Sequence, residues 1–183
     1  MEQDIAKLFS PQYKVPEPAA QPGADIDRLG MIGAAALQEQ GYYTRIVVAS
    51  DSPKKKLLDP KRTRVLIVED DEGTGAVIEK VLHTFGCQTL RARNMAEIAH
   101  AFSAKPFPHL VLLDVMLPDA NGFDVLSRVR QHPELKGIPV LMLTSLGDRK
   151  DVARGLGLGA DGYITKPAPP STLLDAVQAV LAG

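Results

Sequence analysis

From Arg64 onward the chain alternates short strand-like runs with amphipathic stretches five times over, and no other feature restricts its fold as much. The runs at Val65 to Val68, Gln88 to Arg91, His109 to Leu113, Pro139 to Leu143 and Gly162 to Thr165 predict strands. The stretches at about 74–85, 94–103, 121–131, 148–157 and 171–182 predict helices. Strand and helix in regular turn make βαβ units, so the class is α/β with a five-stranded parallel sheet. Right-handed crossovers make that sheet doubly wound, with a crevice at the carboxyl ends of its strands.

The stretch "LVLLDVMLPDANG", Leu110 to Gly122, sets an aspartate directly after four aliphatic residues of the kind found in a strand covered on both faces. A lone carboxylate buried there would be costly; at the strand's carboxyl end it would face the crevice instead. The other strands end in "IVEDDE", "LMLTS" and "YITKP", so the same edge collects Glu69, Asp70, Asp114, Thr144 and Lys166. Singly, each has an ordinary reading: Asp70 or Asp114 as a helix N-cap, Thr144 as a loop hydroxyl, Lys166 as a solvated charge. Together, at the ends of four strands, they point to a site. Carboxylates within about 4 to 6 Å of one another raise each other's pKa unless a cation neutralises them. All the ligands on offer are oxygens, with no second cysteine and no histidine in these loops, which favours Mg²⁺ over zinc. Magnesium suggests phosphate chemistry, for which a lysine, a hydroxyl donor and an in-line carboxylate nucleophile are the required parts.

Composition excludes more than it selects. With 183 residues, 45% hydrophobic and 23% charged, the chain suits one ordinary domain and an extension, and its net charge of −1 gives no electrostatic case for nucleic acid. The single cysteine, Cys87, reads as a small buried apolar residue, which fits a reducing, cytoplasmic setting. No run approaches the roughly 18 to 20 apolar residues of a membrane span, and Met1 to Ser10 lacks the order of a signal peptide. We divide the chain into an extension, 1–63, expected to be partly disordered, and a domain, 64–183. In the extension "SPQYKVPEPAAQPG" (10–23) and "DSPKKKLLDPKR" (51–62) read as connectors, and "YYTRIVVAS" (42–50) has strand-like composition. Ala24 to Gln40 predicts a marginal helix, in which Gly30 and Gly33 each cost about 1 kcal/mol relative to alanine.

Residues 64–183 resemble the receiver domain of two-component response regulators, the CheY-like family, over about two thirds of the chain. "VLIVEDD", "LVLLDVMLPDANG", "PVLMLTS" and "GADGYITKP" occur in the family's order and spacing. The resemblance implies a flavodoxin-like receiver fold, with Asp114 as phosphoacceptor and Mg²⁺ held by Asp70, Asp114 and the Met116 carbonyl, Glu69 contacting the ion through water. It further implies that Lys166 pairs with the acceptor carboxylate and then the phosphoryl group, that Thr144 moves to hydrogen-bond the latter, and that Tyr163 is the switch aromatic. From the residues alone, Tyr163 reads as an amphipathic side chain with a wet hydroxyl. Lys166-Pro167 matches the family's cis peptide, and Asp71 reads as a surface acid.

The function so implied is that of a stand-alone, non-enzymatic switch. It would be phosphorylated by a histidine kinase or histidine phosphotransfer protein and would signal by changing its affinity for a downstream protein. Three departures qualify the likeness. Val152, Thr172 and Ala176 stand where winged-helix members carry the charges that pair their receivers; Ser145 replaces an alanine; and the sequence stops at Gly183, so neither an output domain nor direct DNA binding is expected. Two rival readings remain. An aspartyl-phosphate phosphatase of the haloacid dehalogenase type needs a second aspartate where Met116 stands, and a pseudo-receiver would act unphosphorylated as an interaction module. The apolar segments "DIAKLF" and "IDRLGMIGAAAL" are too short or too glycine-rich to fold alone. They are expected to dock on the face of the helices predicted at 148–157 and 171–182, or on a partner, unless they form a mere tether.

Overall fold

The computed structural model describes residues 2–15, 26–44, 62–145 and 149–182. The elements in chain order are α1 (Glu2–Leu8), α2 (Ile26–Gln40), β1 (Tyr42–Thr44), β2 (Arg64–Val68), α3 (Glu72–Phe85), β3 (Gln88–Ala92) and α4 (Met95–Ser103). They continue with β4 (Leu110–Asp114), α5 (Gly122–Gln131), β5 (Val140–Thr144), α6 (Arg149–Gly157), β6 (Gly162–Thr165) and α7 (Pro170–Ala182). The connectors expected at 10–23 and 51–62 fall largely outside the described residues, as do 45–50 of the strand-like stretch and the first two residues of the helix expected from Ala24.

The sheet runs β1-β6-β5-β4-β2-β3. Strands β2 to β6 are parallel, in the doubly wound order expected, with the change of direction between β2 and β4. Alternate side chains of each strand feed alternate layers, the two-residue period of a pleated strand. Leu66, Val68, Val111, Leu113, Val140 and Met142 pack under α4, α5 and α6, whereas Val65, Ile67, Leu110, Leu112, Leu141 and Leu143 pack under α3 and α7. Burial on both faces explains the continuous apolar runs. The helices start where the sequence supplies caps: the Asp71 side chain accepts the Thr74 N–H at 2.7 Å, Asn94 accepts the Glu97 N–H at 3.0 Å and Asn121 accepts the Phe123 N–H at 2.9 Å.

The extension adds a sixth strand. Tyr42–Thr44 pairs antiparallel with β6, in register Tyr42 to Ile164, Tyr43 to Tyr163 and Thr44 to Gly162. Ahead of it, α2 lies across α6, and the approach is close at two glycines. A Cβ on Gly30 would sit 2.7 Å from the Ala153 Cβ, and one on Gly33 would sit 2.8 Å from Val152 Cγ1. The glycines that weaken α2 by propensity thus allow it to meet α6 backbone to backbone. At the other end of the extension, Ile5, Leu8 and Phe9 are buried, and the Phe9 ring stacks on Phe102 of α4 at 5.5 Å. The buried Arg128 of α5 donates to the carbonyls of Leu8, Ser10 and Tyr13 at 2.5, 3.0 and 3.2 Å. Both apolar segments therefore rest on the chain's own domain, but only α2 lies on the expected face; α1 packs instead on α4 and α5, where Phe102 and Arg128 receive it.

Candidate functional site

Strands β2, β4, β5 and β6 end on one edge of the sheet, and their last residues converge. Glu69 and Asp70 follow β2, Asp114 and Thr144 close β4 and β5, and Lys166 follows β6. One carboxylate oxygen each of Glu69, Asp70 and Asp114 lie within 4.8 Å of one another. Glu69 is 1% exposed and Asp114 4%, while Asp70 is exposed. The Lys166 Nζ bridges the two buried acids, 2.8 Å from Glu69 Oε2 and 2.7 Å from Asp114 Oδ2. Asp114 Oδ1 accepts the Met116 N–H at 3.1 Å. Lys166 is further tied by its own N–H to the Thr144 carbonyl at 2.7 Å, which sets the lysine and the threonine on adjacent strand ends.

Charge explains why these acids can be buried. Burial raises the pKa of Glu69 and the nearby Asp114 charge adds to this, while the hydrogen bond from Lys166 opposes it. For Lys166, burial alone would lower the pKa, but the hydrogen bonds and charges of Asp114 and Glu69 outweigh it and the net shift is upward. Both groups shift upward: the lysine as the partner of an ion pair should, the glutamate because burial, reinforced by the Asp114 charge, outweighs the help of Lys166. Three acids against one lysine leave a net negative cluster built from hard oxygen donors, which fits a divalent cation such as Mg²⁺. Glu69, Asp70, Asp114 and the backbone at Met116 are the groups that would hold it.

Each residue singled out in the sequence lies at this edge or against it. The Lys166–Pro167 peptide is cis. Asp71 is an exposed acid and also the cap of α3. Tyr163, far from keeping a wet hydroxyl, is 1% exposed, and its hydroxyl donates to the carbonyls of Asp151 and Val152 in α6 at 3.1 and 3.3 Å. Burial first, then the Asp151 charge, pushes that hydroxyl well above the usual tyrosine pKa.

Sequence reading missed Gly155. A Cβ there would overlap the Tyr163 hydroxyl and lie 2.8 Å from its Cζ and 3.1 Å from Phe123 Cε1, so the bare α-carbon is the floor of the tyrosine's seat. A glycine inside the predicted helix at 148–157, two residues before Gly157, was the available signal. Also missed was the pairing of β1 with β6, which sets Tyr43 opposite Tyr163. The three departures from the charged ladder now have a physical setting: Val152 meets Gly33 of α2, Thr172 faces Gly41 with its Cγ2 3.2 Å from where a Cβ would be, and Ala176 is fully buried.

A parallel, doubly wound domain with an acid cluster, a threonine and a lysine at its strand ends defines a receiver. The sequence model of the response regulator receiver domain matches residues 65–178, and the chain belongs to that family. Among its relatives, the phosphate regulon transcriptional regulatory protein PhoB of Escherichia coli strain K12 is 36% identical over 118 residues, 64% of this chain and 51% of the relative. The chain thus spans about half the length of the curated relatives it matches. Chemotaxis protein CheY4 of Vibrio cholerae superposes with a TM-score of 0.60 at 30% identity, covering 64% of this chain and 98% of that one. The Mn²⁺-bound form of response regulator Rcp1 does so with a TM-score of 0.55 at 31% identity, covering 64% and 91%. Among the described residues, no helix is long and apolar enough to cross a membrane.

Proposed function

We propose that this chain is a phosphoacceptor switch of the cytoplasm. It takes a phosphoryl group on Asp114 from a histidine kinase or histidine phosphotransfer protein and signals by altered affinity for a downstream protein. An Asp114 carboxylate oxygen attacks the phosphorus of a phosphohistidine; the phosphorus–nitrogen bond breaks, the imidazole leaves and takes a proton, and an acyl phosphate remains on Asp114. Lys166, already 2.7 Å from Asp114 Oδ2, supplies positive charge to the phosphoryl oxygens, and the Met116 N–H steadies the other carboxylate oxygen. Thr144, at the end of the neighbouring strand, brings a hydroxyl donor to the transferred group, and Tyr163 under α6 registers the change. Glu69, Asp70 and Asp114 would hold a divalent cation, which would supply charge to offset that of the acids and of the incoming phosphoryl group. The Mn²⁺-bound relative supports such an ion. The chain's only chemistry is then its own phosphorylation and dephosphorylation.

The observation that carries this reading is the lysine bridge between two buried acids, with a third acid alongside. Incubation with a small phosphodonor and Mg²⁺ should add one phosphoryl group by intact mass, and chelation should prevent it. Asp114→Asn should abolish labelling, and Lys166→Ala should impair it far more than the same change at the exposed Lys150. Labelling of Asp114→Asn at another residue, or equal behaviour of the two lysine variants, would refute the assignment.

A further inference from the structure

The extension reaches the backbone beside Lys166 at Gly41. Gly41 closes α2 in the left-handed region, with φ +78°, and its N–H bonds to the Leu37 carbonyl at 3.1 Å. Its own carbonyl accepts both the N–H of Thr165, at 2.8 Å, and the Thr165 hydroxyl, at 3.0 Å. The next residue is Lys166, whose ammonium bridges Glu69 and Asp114. The backbone that carries the lysine is therefore held from β5, through the Thr144 carbonyl, and from the extension, through Gly41. A second connection runs in parallel: α2 presses Gly30 and Gly33 on the turn of α6 whose Asp151 and Val152 carbonyls receive the Tyr163 hydroxyl.

On the phosphoacceptor reading above, we propose that the docked segment Ile26–Thr44, acting through Gly41 on Thr165, is a positioning element for Lys166 and is coupled to occupancy of the Asp114 site. A cation aimed at developing charge contributes most when its geometry is fixed beforehand, and small misplacements are costly. Docking fixes one of the two backbone anchors beside Lys166 and so favours phosphoryl transfer to Asp114. The coupling is reciprocal by necessity, so an occupied site holds the segment more tightly. The segment suits this task because α2, with 15 residues and two interior glycines, is a marginal helix whose order depends on its contact with α6. Its docked and undocked forms are then close in free energy, and a change at the site can shift the balance.

The test uses the full chain. Gly41→Val places a branched side chain at φ +78°, where a Cβ would meet Thr172 Cγ2 at 3.2 Å and Thr165 Oγ1 at 3.3 Å. Thr165→Val removes only the hydroxyl bond and serves where the first variant fails to fold. The readouts are the initial rate of Mg²⁺-dependent labelling of Asp114 by acetyl phosphate and the amide exchange of residues 26–44 with and without beryllofluoride, a phosphoryl mimic. Labelling should slow at least about fivefold in Gly41→Val, and less in Thr165→Val. In a Lys166→Ala background neither change should slow it further. Beryllofluoride should add protection to 26–44 in the wild-type chain. A wild-type rate in the variants, equal slowing with and without Lys166, or exchange indifferent to beryllofluoride would each overturn the proposal. Failure of the wild-type chain to label at all would instead remove the phosphoacceptor reading on which it rests.

Discussion

Replacing Gly155 with alanine should destabilise the protein, although the change improves helix propensity. In an exposed helix interior the substitution would stabilise by about 1 kcal/mol. Here the added methyl must share space with the Tyr163 hydroxyl, 2.8 Å from Cζ and 3.1 Å from Phe123 Cε1. Neither ring has room to withdraw, since Tyr163 is 1% and Phe123 2% exposed and β6 is pinned between β1 and β5. If the core strains to keep the ring, overpacking costs about 1–3 kcal/mol or more. If the ring leaves, about 1.5–3 kcal/mol of apolar burial is lost, with about 0.5–1.5 kcal/mol for the hydroxyl's hydrogen bond. After the propensity gain, the net loss should be about 0–2 kcal/mol or more if the ring stays and about 1–3.5 kcal/mol if it leaves, with roughly 2–4 °C of Tm lost per kcal/mol for a chain of this size. Urea melts of wild type, Gly155→Ala, Tyr163→Phe and the double variant form a cycle that isolates the contact. Removing the hydroxyl should restore most of the loss, so the double variant should be more stable than Gly155→Ala. A Gly155→Ala protein as stable as wild type, or a loss unchanged by Tyr163→Phe, would refute the claim that the bare α-carbon exists to seat the hydroxyl.

Arg128→Ala removes the buried guanidinium that donates to the Leu8, Ser10 and Tyr13 carbonyls, and should cost about 2–3 kcal/mol in chemical melts while residues 2–15 become protease-sensitive; a nick-resistant variant of full stability would contradict this clamp. His109 supplies a sharper pH dependence. Burial first and Arg64 second lower its pKa below 6.5, and its Nδ1 accepts the Arg64 N–H at 3.0 Å. A depressed folded pKa means that the unfolded chain binds the proton more readily. The stabilisation from neutral His109 is therefore present above pH 6.5 and lost as pH falls through the folded value. Melts of His109→Asn should lack this part of the acid limb, and an unchanged limb would clear His109 of the effect.

The sheet was legible because its signal is redundant: β2, β4, β5 and β6, buried on both faces, leave continuous apolar runs, the edge strand β3 follows in the same alternation, and each helix between them has its own period. The site was legible for a related reason. Strand ends are easy to locate, and a parallel sheet places them on one edge, so Glu69, Asp70, Asp114, Thr144 and Lys166 could be brought together without coordinates. What escaped was contact between segments far apart in sequence. Propensity weighed Gly30 and Gly33 only as a cost, because nothing local says that Val152 and Ala153 lie against them. The three-residue strand Tyr42–Thr44 is too short to show a period, and its partner lies more than a hundred residues away. Val152, Thr172 and Ala176 were visible as departures from the family's charges, but their meaning needed α2 and Gly41 in place. Gly155 was a similar case, a glycine whose reason is a side chain on another element.

The bond from Thr165 to Gly41 spans 124 residues, and this has a consequence for synthesis. The segment that braces the lysine leaves the ribosome before any of the surfaces it rests on, on α6, β6 and α7, has been made. At about 5–20 residues per second, Gly41 waits roughly 6–25 s for Thr165 to be translated. Throughout that interval Leu29 and Leu37, the apolar face of α2, have no seat, and a nascent chain carrying them depends on holdase capture or on dilution to stay clear of its neighbours.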